Sequence, residues 1–263
     1  MRKLKILLLW LGIIAYLVFA HGFVSGKRSE KVCERINIIV TDSLVNRFVT
    51  PDDVLNILLE DESKILGYPL SSINTLNLEK RLENESFIKR ADIYKTMNGV
   101  LNVRIQQRQP VVRIINRHGR SYYLDIEGYI LPVSDKFTSR ILVANGHISE
   151  PFIEESTRSL FDVDPPEGRR NKVVYELYEI ASFIAGSNLW GTQIAQIYVN
   201  DKFEFEMIPR VGAHVIYFGD SSDYQNKFAK LEALYLYGLN NRGWNNYETI
   251  NLKFENQIVC TKR

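Results

Sequence analysis

Hydrophobic and polar positions divide this chain sharply. From Ile6 to Val24 it reads ILLLWLGIIAYLVFAHGFV, 19 residues without a charge, and the pattern does not recur. A helix needs about 20 apolar residues to cross about 30 Å of hydrocarbon. The run therefore predicts a membrane-spanning helix over residues 6–25, behind a short tail of residues 1–5. It is apolar on every side, unlike a core helix with one polar face. Arg2, Lys3 and Lys5 precede it, and Lys27, Arg28, Lys31 and Arg35 follow, so charge alone does not orient it. A basic tip ahead of an apolar stretch has the form of an export signal, which puts the tip in the cytoplasm and everything after the helix outside. The competing expectation is a signal peptide cleaved near Val18-Phe19-Ala20, a site that Phe19 and His21 fit poorly.

Residues 36–109 read as one small domain. Ile36–Val40 is a short apolar run that suits a strand. Thr50-Pro51-Asp52-Asp53 is a helix start: Thr50 can cap, Pro51 fits the first helical position, and Asp53 completes a capping-box-like pair. Val54, Leu55, Leu58 and Leu59 then form an apolar stripe, which ends before Gly67-Tyr68-Pro69. Asn77 is the expected cap of a second helix bearing Leu78 and Leu82. A strand over Arg90–Thr96 leads to Asn98-Gly99, a hairpin signal. Leu101, Val103 and Ile105 then alternate with Asn102, Arg104 and Gln106 in a half-buried strand. The order is β-α-α-β-β, and it resembles a POTRA domain. That resemblance implies a module that binds extended peptides or partner chains.

Residues 110–263 alternate strands with helices, so the chain as a whole is expected to be α+β, with a β-rich second domain. Val173, Val174, Leu177, Tyr178, Ala181 and Ile184 make one helical stripe; Phe228, Leu231, Leu234 and Tyr235 make another. Ile194–Val199 and Phe203–Ile208 suit a hairpin around Asn200-Asp201, and Val215–Phe218 a further strand. Two closing strands are expected over Thr249–Phe254 and Gln257–Cys260.

Composition narrows the chemistry. Net charge is +2, which leaves no footprint for nucleic acid. Cys33 and Cys260 are the only cysteines. They sit in different expected domains, so a bridge, which needs Cα atoms within about 7 Å, is not expected. Two cysteines and four scattered histidines supply no zinc spacing. His214-Val215-Ile216-Tyr217-Phe218-Gly219-Asp220-Ser221 imitates the strand-to-serine turn of one class of esterases, yet no histidine follows His214. Asp220-Ser221-Ser222 suits helix capping instead. With no P-loop, GxSxG, HExxH or dinucleotide fingerprint, the sequence yields no catalytic residue, metal site, cofactor or small-molecule substrate.

Residues 104–133, RIQQRQPVVRIINRHGRSYYLDIEGYILPV, carry a second likeness. Pro110 cannot continue a central ladder and marks a joint between sheets; Asp125 and Gly128 supply turn chemistry. Gln107-Arg108-Gln109-Pro110-Val111 followed by Tyr123-Leu124-Asp125 and Gly128 resembles the bacterial cell-division family FtsQ/DivIB. Gly67-Tyr68-Pro69-Leu70, Phe87-Ile88-Lys89-Arg90-Ala91, Tyr217-Phe218-Gly219 and Ile250-Asn251-Leu252-Lys253-Phe254 extend the likeness over most of the chain. Gln107 stands where that family usually has Glu, and Phe87 where Trp is common. The resemblance implies a non-enzymatic, single-pass inner-membrane scaffold at the division site, linking early division proteins to septal wall synthesis through FtsB/FtsL-type partners. It further implies a domain junction at Arg108, Pro110, Asp125 and Gly128. Partner binding is expected by strand addition at an exposed edge formed by Tyr247, Thr249, Ile250, Asn251, Leu252, Lys253 and Phe254. The alternatives are a POTRA-bearing envelope assembly or secretion factor, and a secreted hydrolase.

Overall fold

A computed structural model describes residues 10–19, 31–41, 46–60, 65–149, 159–162, 169–240 and 243–263. Residues 10–19 form a helix, α1, whose Trp10, Leu11, Ile14, Tyr16, Leu17 and Phe19 are all exposed. The rest of the apolar run, with the tail of residues 1–5, lies outside the described residues. Among the described residues no helix is long and apolar enough to cross a membrane. The chain divides into two compact units, Met1–Gln107 and Arg108–Arg263.

The first unit is a three-stranded sheet in the order β1-β3-β2: β1 (Arg35–Val40), β2 (Ile88–Lys95) and β3 (Val100–Gln107). Central β3 runs parallel to β1 and antiparallel to β2. Helix α2 (Pro51–Leu59) starts as the sequence predicts. Thr50 Oγ1 accepts from the Asp53 N–H at 3.2 Å, and Asp53 Oδ2 accepts from the Thr50 N–H at 2.9 Å. Helix α3 (Thr75–Glu83) starts earlier than expected. Its cap is Asn74, whose Oδ1 accepts from the Asn77 N–H at 3.2 Å. Asn77 is thus the capped residue, because only a residue outside the first turn can turn its side chain back onto it. Val54, Leu58 and Leu82 from the helices and Leu101, Val103 and Ile105 from β3 are buried.

The second unit holds one nine-stranded sheet, ordered β12-β11-β10-β9-β8-β7-β4-β5-β6. Its strands are β4 (Pro110–Ile115), β5 (Ser121–Asp125), β6 (Ile130–Pro132), β7 (Leu142–Gly146), β8 (Ile194–Val199), β9 (Phe205–Pro209), β10 (Val215–Gly219), β11 (Tyr247–Asn251) and β12 (Val259–Lys262). β4–β7, β7–β8 and β10–β11 are parallel; the other neighbours are antiparallel. Ala144, Ile197, Met207, Ile216 and Ile250 stand in register across five strands and all face one core. Helices α4 (Arg169–Gly186), α5 (Trp190–Gln193) and α6 (Tyr224–Ala233) cover that face with Val173, Leu177, Ile180, Ile184, Trp190 and Phe228. Beyond Ala233, α6 widens into a π-helical stretch, Leu234–Leu239. Strand β9 starts two residues later than expected. Asn200 Oδ1 accepts from the N–H groups of Lys202 and Glu204, both at 3.0 Å, and so draws Phe203 into the turn.

Candidate partner-binding edge

The strand expected to form the open edge is not at the edge. β11 lies between β10, which it meets in parallel, and β12, which it meets antiparallel. Ile250 and Leu252 are fully buried and Tyr247 nearly so, while Thr249 and Asn251 are half-buried on the other face. The Leu252 N–H donates to the Tyr217 carbonyl at 2.9 Å. Lys253 and Phe254 lie past the strand's end. Lys253 Nζ donates to Glu204 Oε2 at 3.0 Å, and the Phe254 carbonyl accepts from Lys230 Nζ at 2.7 Å. The expectation of an edge over Tyr247–Phe254 is therefore corrected. The physical reason is the second closing strand, which pairs outside the first and takes the border position.

That border strand is β12. Because the backbone of Leu252 faces β10, the alternation of a strand turns Thr249 and Asn251 toward β12, up to the irregularity between Tyr247 and Thr249. Thr261 and Val259, in register with Thr249 and Asn251, bond back to them. The N–H and C=O of Lys262 then point away from the sheet. Val259 is 41% exposed, and Thr261 and Lys262 are exposed. The strand is pinned where it ends: the Arg263 N–H donates to the Asn246 carbonyl at 3.2 Å and Arg263 Nη2 to the Ala213 carbonyl at 2.6 Å. An edge of four residues carrying a lysine is short enough to discourage indiscriminate pairing, yet its backbone groups remain a template for a matching strand.

The four residues expected at a junction do come together, all within the second unit. Pro110 and Asp125 open the β4–β5 ladder. Asp125 is 1% exposed; its Oδ1 accepts from the N–H groups of Glu127 at 2.9 Å and Tyr129 at 2.8 Å, and its Oδ2 from Arg108 Nη1 at 3.1 Å. The Arg108 guanidinium lies 3.7 Å from the centre of the Tyr129 ring. Burial pushes the Asp125 carboxyl up, and the Tyr129 N–H, Arg108 and the Glu127 N–H offset this only in part. Gly128 has φ +78°, and a Cβ there would stand 2.7 Å from the Phe161 ring. Sequence reading missed Glu127, Tyr129 and Phe161. For the first two, an Asp with its acceptor reaching two and four residues ahead was a legible turn signal.

Two other polar sites invite chemistry. A cleft of about 410 Å³ is lined by Glu204, Asp220, Lys227, Lys230, Lys253 and Glu255 among others. Its lysines are engaged: Lys227 Nζ donates to the Asp220 carbonyl at 2.9 Å, and Lys230 Nζ to the Glu255 carbonyl at 3.0 Å. His214, 2% exposed, sits with Nε2 3.1 Å from the Tyr235 hydroxyl. Burial holds its imidazole below the ordinary value and raises the Tyr235 phenol. The Ser222 hydroxyl bonds to the Asp220 carboxylate in the turn before α6, but the cap residue of that helix is Asp223, which makes no side-chain cap bond, so the capping expected of Asp220-Ser221-Ser222 is not what starts it. Among the described residues no cluster of His, Cys, Asp and Glu could hold a metal ion.

Comparison with known families agrees with this layout. Residues 109–261 match the family model described as FtsQ/DivIB, C-terminal related. Residues 31–106 match a POTRA-like domain. No curated protein matches the chain.

Proposed function

We propose, from the fact that the chain belongs to the FtsQ/DivIB, C-terminal related family, that it is a membrane-anchored scaffold of the bacterial division machinery. Family membership implies a division-related role of this general, non-enzymatic kind. The finer reading is ours. The protein sits in the inner membrane at the division site, with both units outside the cytoplasm, and recruits FtsB/FtsL-type partners by adding a partner strand to the sheet of the second unit. What supports it is the place of β12 as the last strand of the sheet, with the backbone groups of Lys262 turned away from β11. Each hydrogen bond to an added strand contributes about 0.5–1.5 kcal/mol net, and side chains on alternate positions set which strand fits.

A proline at an outward position removes an edge donor and leaves the β11–β12 ladder whole. Lys262→Pro is expected to fold with an unchanged near-UV circular dichroism spectrum and to lose co-purification of the cognate FtsB/FtsL-type pair. Full retention of the pair by a folded Lys262→Pro protein would falsify strand addition at β12.

A further inference from the structure

The chain enters the first unit at one end of its sheet, where three segments are bonded to one another. The Cys33 N–H donates to the Tyr68 carbonyl, the Gly67 N–H to the Cys33 carbonyl and the Leu70 N–H to the Lys31 carbonyl, each at 2.8 Å. The Glu34 N–H donates to the Gly99 carbonyl, also at 2.8 Å. Val32 bridges to Pro69. The entering segment thus holds the turn at Leu66–Pro69 on one side and the hairpin between β2 and β3 on the other.

This end is apolar where it meets solvent. Val32, Leu66 and Tyr68 are exposed, and Met97, at the hairpin tip, is 75% exposed. Single exposed apolar side chains are ordinary, but four on three segments tied together make a patch of the kind that marks an interaction surface. The turn itself does not ask for them: Gly99, at φ +85°, supplies the hairpin's special conformation and leaves Met97 without a part in it. In the same segments Lys31, Arg35 and Lys95 are exposed, against Glu34, so the patch is edged with net positive charge.

The path of the chain narrows the occupant. Residues 25–31, seven in all, separate the apolar run from Val32, and seven residues reach at most about 25 Å. On the membrane-anchored reading proposed above, on which this rests, the patch is tethered within that distance of the lipid. Tyrosine suits the boundary between headgroups and acyl chains, where the ring is buried and the hydroxyl stays wet. Basic side chains beside an apolar surface suit anionic headgroups. We infer that the surface formed by Val32, Leu66, Tyr68 and Met97 docks on the bilayer, with Lys31, Arg35 and Lys95 on anionic headgroups. The first unit is then held to the membrane at two points, the anchor and the patch, and stands in one orientation instead of swinging on its tether.

Methyl NMR of the full chain in lipid nanodiscs tests this. The chain has three methionines, Met1, Met97 and Met207, and Met207 is fully buried, which makes it an internal reference. The protein carries 13C at its methionine methyl groups, and the Met97 signal is identified by its loss in Met97→Leu. Discs holding one copy are made of phosphatidylcholine and phosphatidylglycerol, with and without doxyl-labelled phosphatidylcholine. A methyl group seated about 5–10 Å into the headgroup boundary lies beside the label, so Met97 should lose about half its intensity or more. Met207 should lose none. Leu66→Ser/Tyr68→Ser should restore most of the Met97 signal, and discs of phosphatidylcholine alone should weaken the effect. A Met97 signal indifferent to the label overturns docking. So does equal loss in the double variant, which would report the tether alone. Loss that appears only in discs holding two copies, with or without the label, makes the occupant a second copy and also overturns it. A chain recovered free of lipid overturns the anchor and the docking together, whereas a chain in the discs with an unaffected Met97 overturns docking alone.

Discussion

Asp125 shows how much a single side chain can fix. Nearly sealed from solvent, it accepts from two backbone N–H groups and from Arg108. It therefore shapes the β5–β6 turn and neutralises a cation that is itself only about one-tenth exposed. Removing one member of a buried ion pair costs about 3–5 kcal/mol, since the other charge is left without a partner. Asp125→Ala is expected to lower stability by about 3 kcal/mol in urea unfolding. Arg108→Met in the same background should recover part of that loss, because the cation, left with only the Glu127 carboxylate at 3.7 Å, goes with it. Gly146 is a harsher case. With φ +107° and a Cβ that would fall 2.9 Å from Val199 N and closer still to Val199 O, it is a place where two backbones touch. Gly146→Ala has no flexible neighbour to push aside and is expected to abolish soluble expression.

His214 carries the pH dependence at this scale. Its folded-state pKa lies below the ordinary value of 6.5, chiefly through burial. The unfolded chain therefore binds a proton more readily than the native one. The stability that His214 contributes is complete above pH 6.5 and is lost as pH falls from there through the folded value. A melting series from pH 7.5 to 5 should show a decline that is shallower in His214→Gln, which keeps a polar partner for the Tyr235 hydroxyl and does not titrate. Equal slopes would remove His214 from the account.

At the scale of elements, the closing strands carry the sharpest contrast. Leu252 is buried and its N–H donates into the interior of the sheet, so Leu252→Pro removes a ladder bond and a core side chain together. A cost of about 3 kcal/mol or more is expected. Lys262→Pro, on the exposed border strand two strands away from β10, should cost about 1 kcal/mol or less. Guanidinium unfolding of the two variants side by side reads the difference. Sequence periodicity could not make this distinction. Alternation over residues 249–254 identifies a strand with one buried face and says nothing of whether a neighbour lies on each side. The capping of α2 was legible in full because Thr50 and Asp53 act within one turn. Asn74 was obscured because Asn77 offers the same chemistry three residues later. β7 was not anticipated at all: Leu142–Gly146 lacks a polar–apolar alternation, as befits a strand that meets parallel neighbours on both sides.

For the whole molecule, the legible part was the division into a β-α-α-β-β unit and a β-rich unit, because each announces itself by local pattern. The nine-strand order was not legible. β4 pairs with β5 next to it in sequence and with β7 across an intervening pair of strands, and β10 reaches β11 only after α6. Such pairings are decided by which apolar faces can be buried together, and the second unit solves this with one core running from Val111 to Leu252. Buried Val54, Leu58, Leu82, Leu101, Val103 and Ile105 belong to the first unit and to none of that core. The first unit should therefore carry its own cooperative transition. Residues 31–107 expressed alone are expected to unfold in urea in a single step, seen at the same midpoint by circular dichroism and by the exchange of β3 amides. Because Gln107 accepts from the Val49 N–H at 2.9 Å and donates to the Asn46 carbonyl at 2.8 Å, a fragment stopping at Ile105 should lose about 2 kcal/mol relative to one ending at residue 107. Indistinguishable midpoints for the two fragments would show that Gln107, although wholly buried, is not part of what holds the first unit closed.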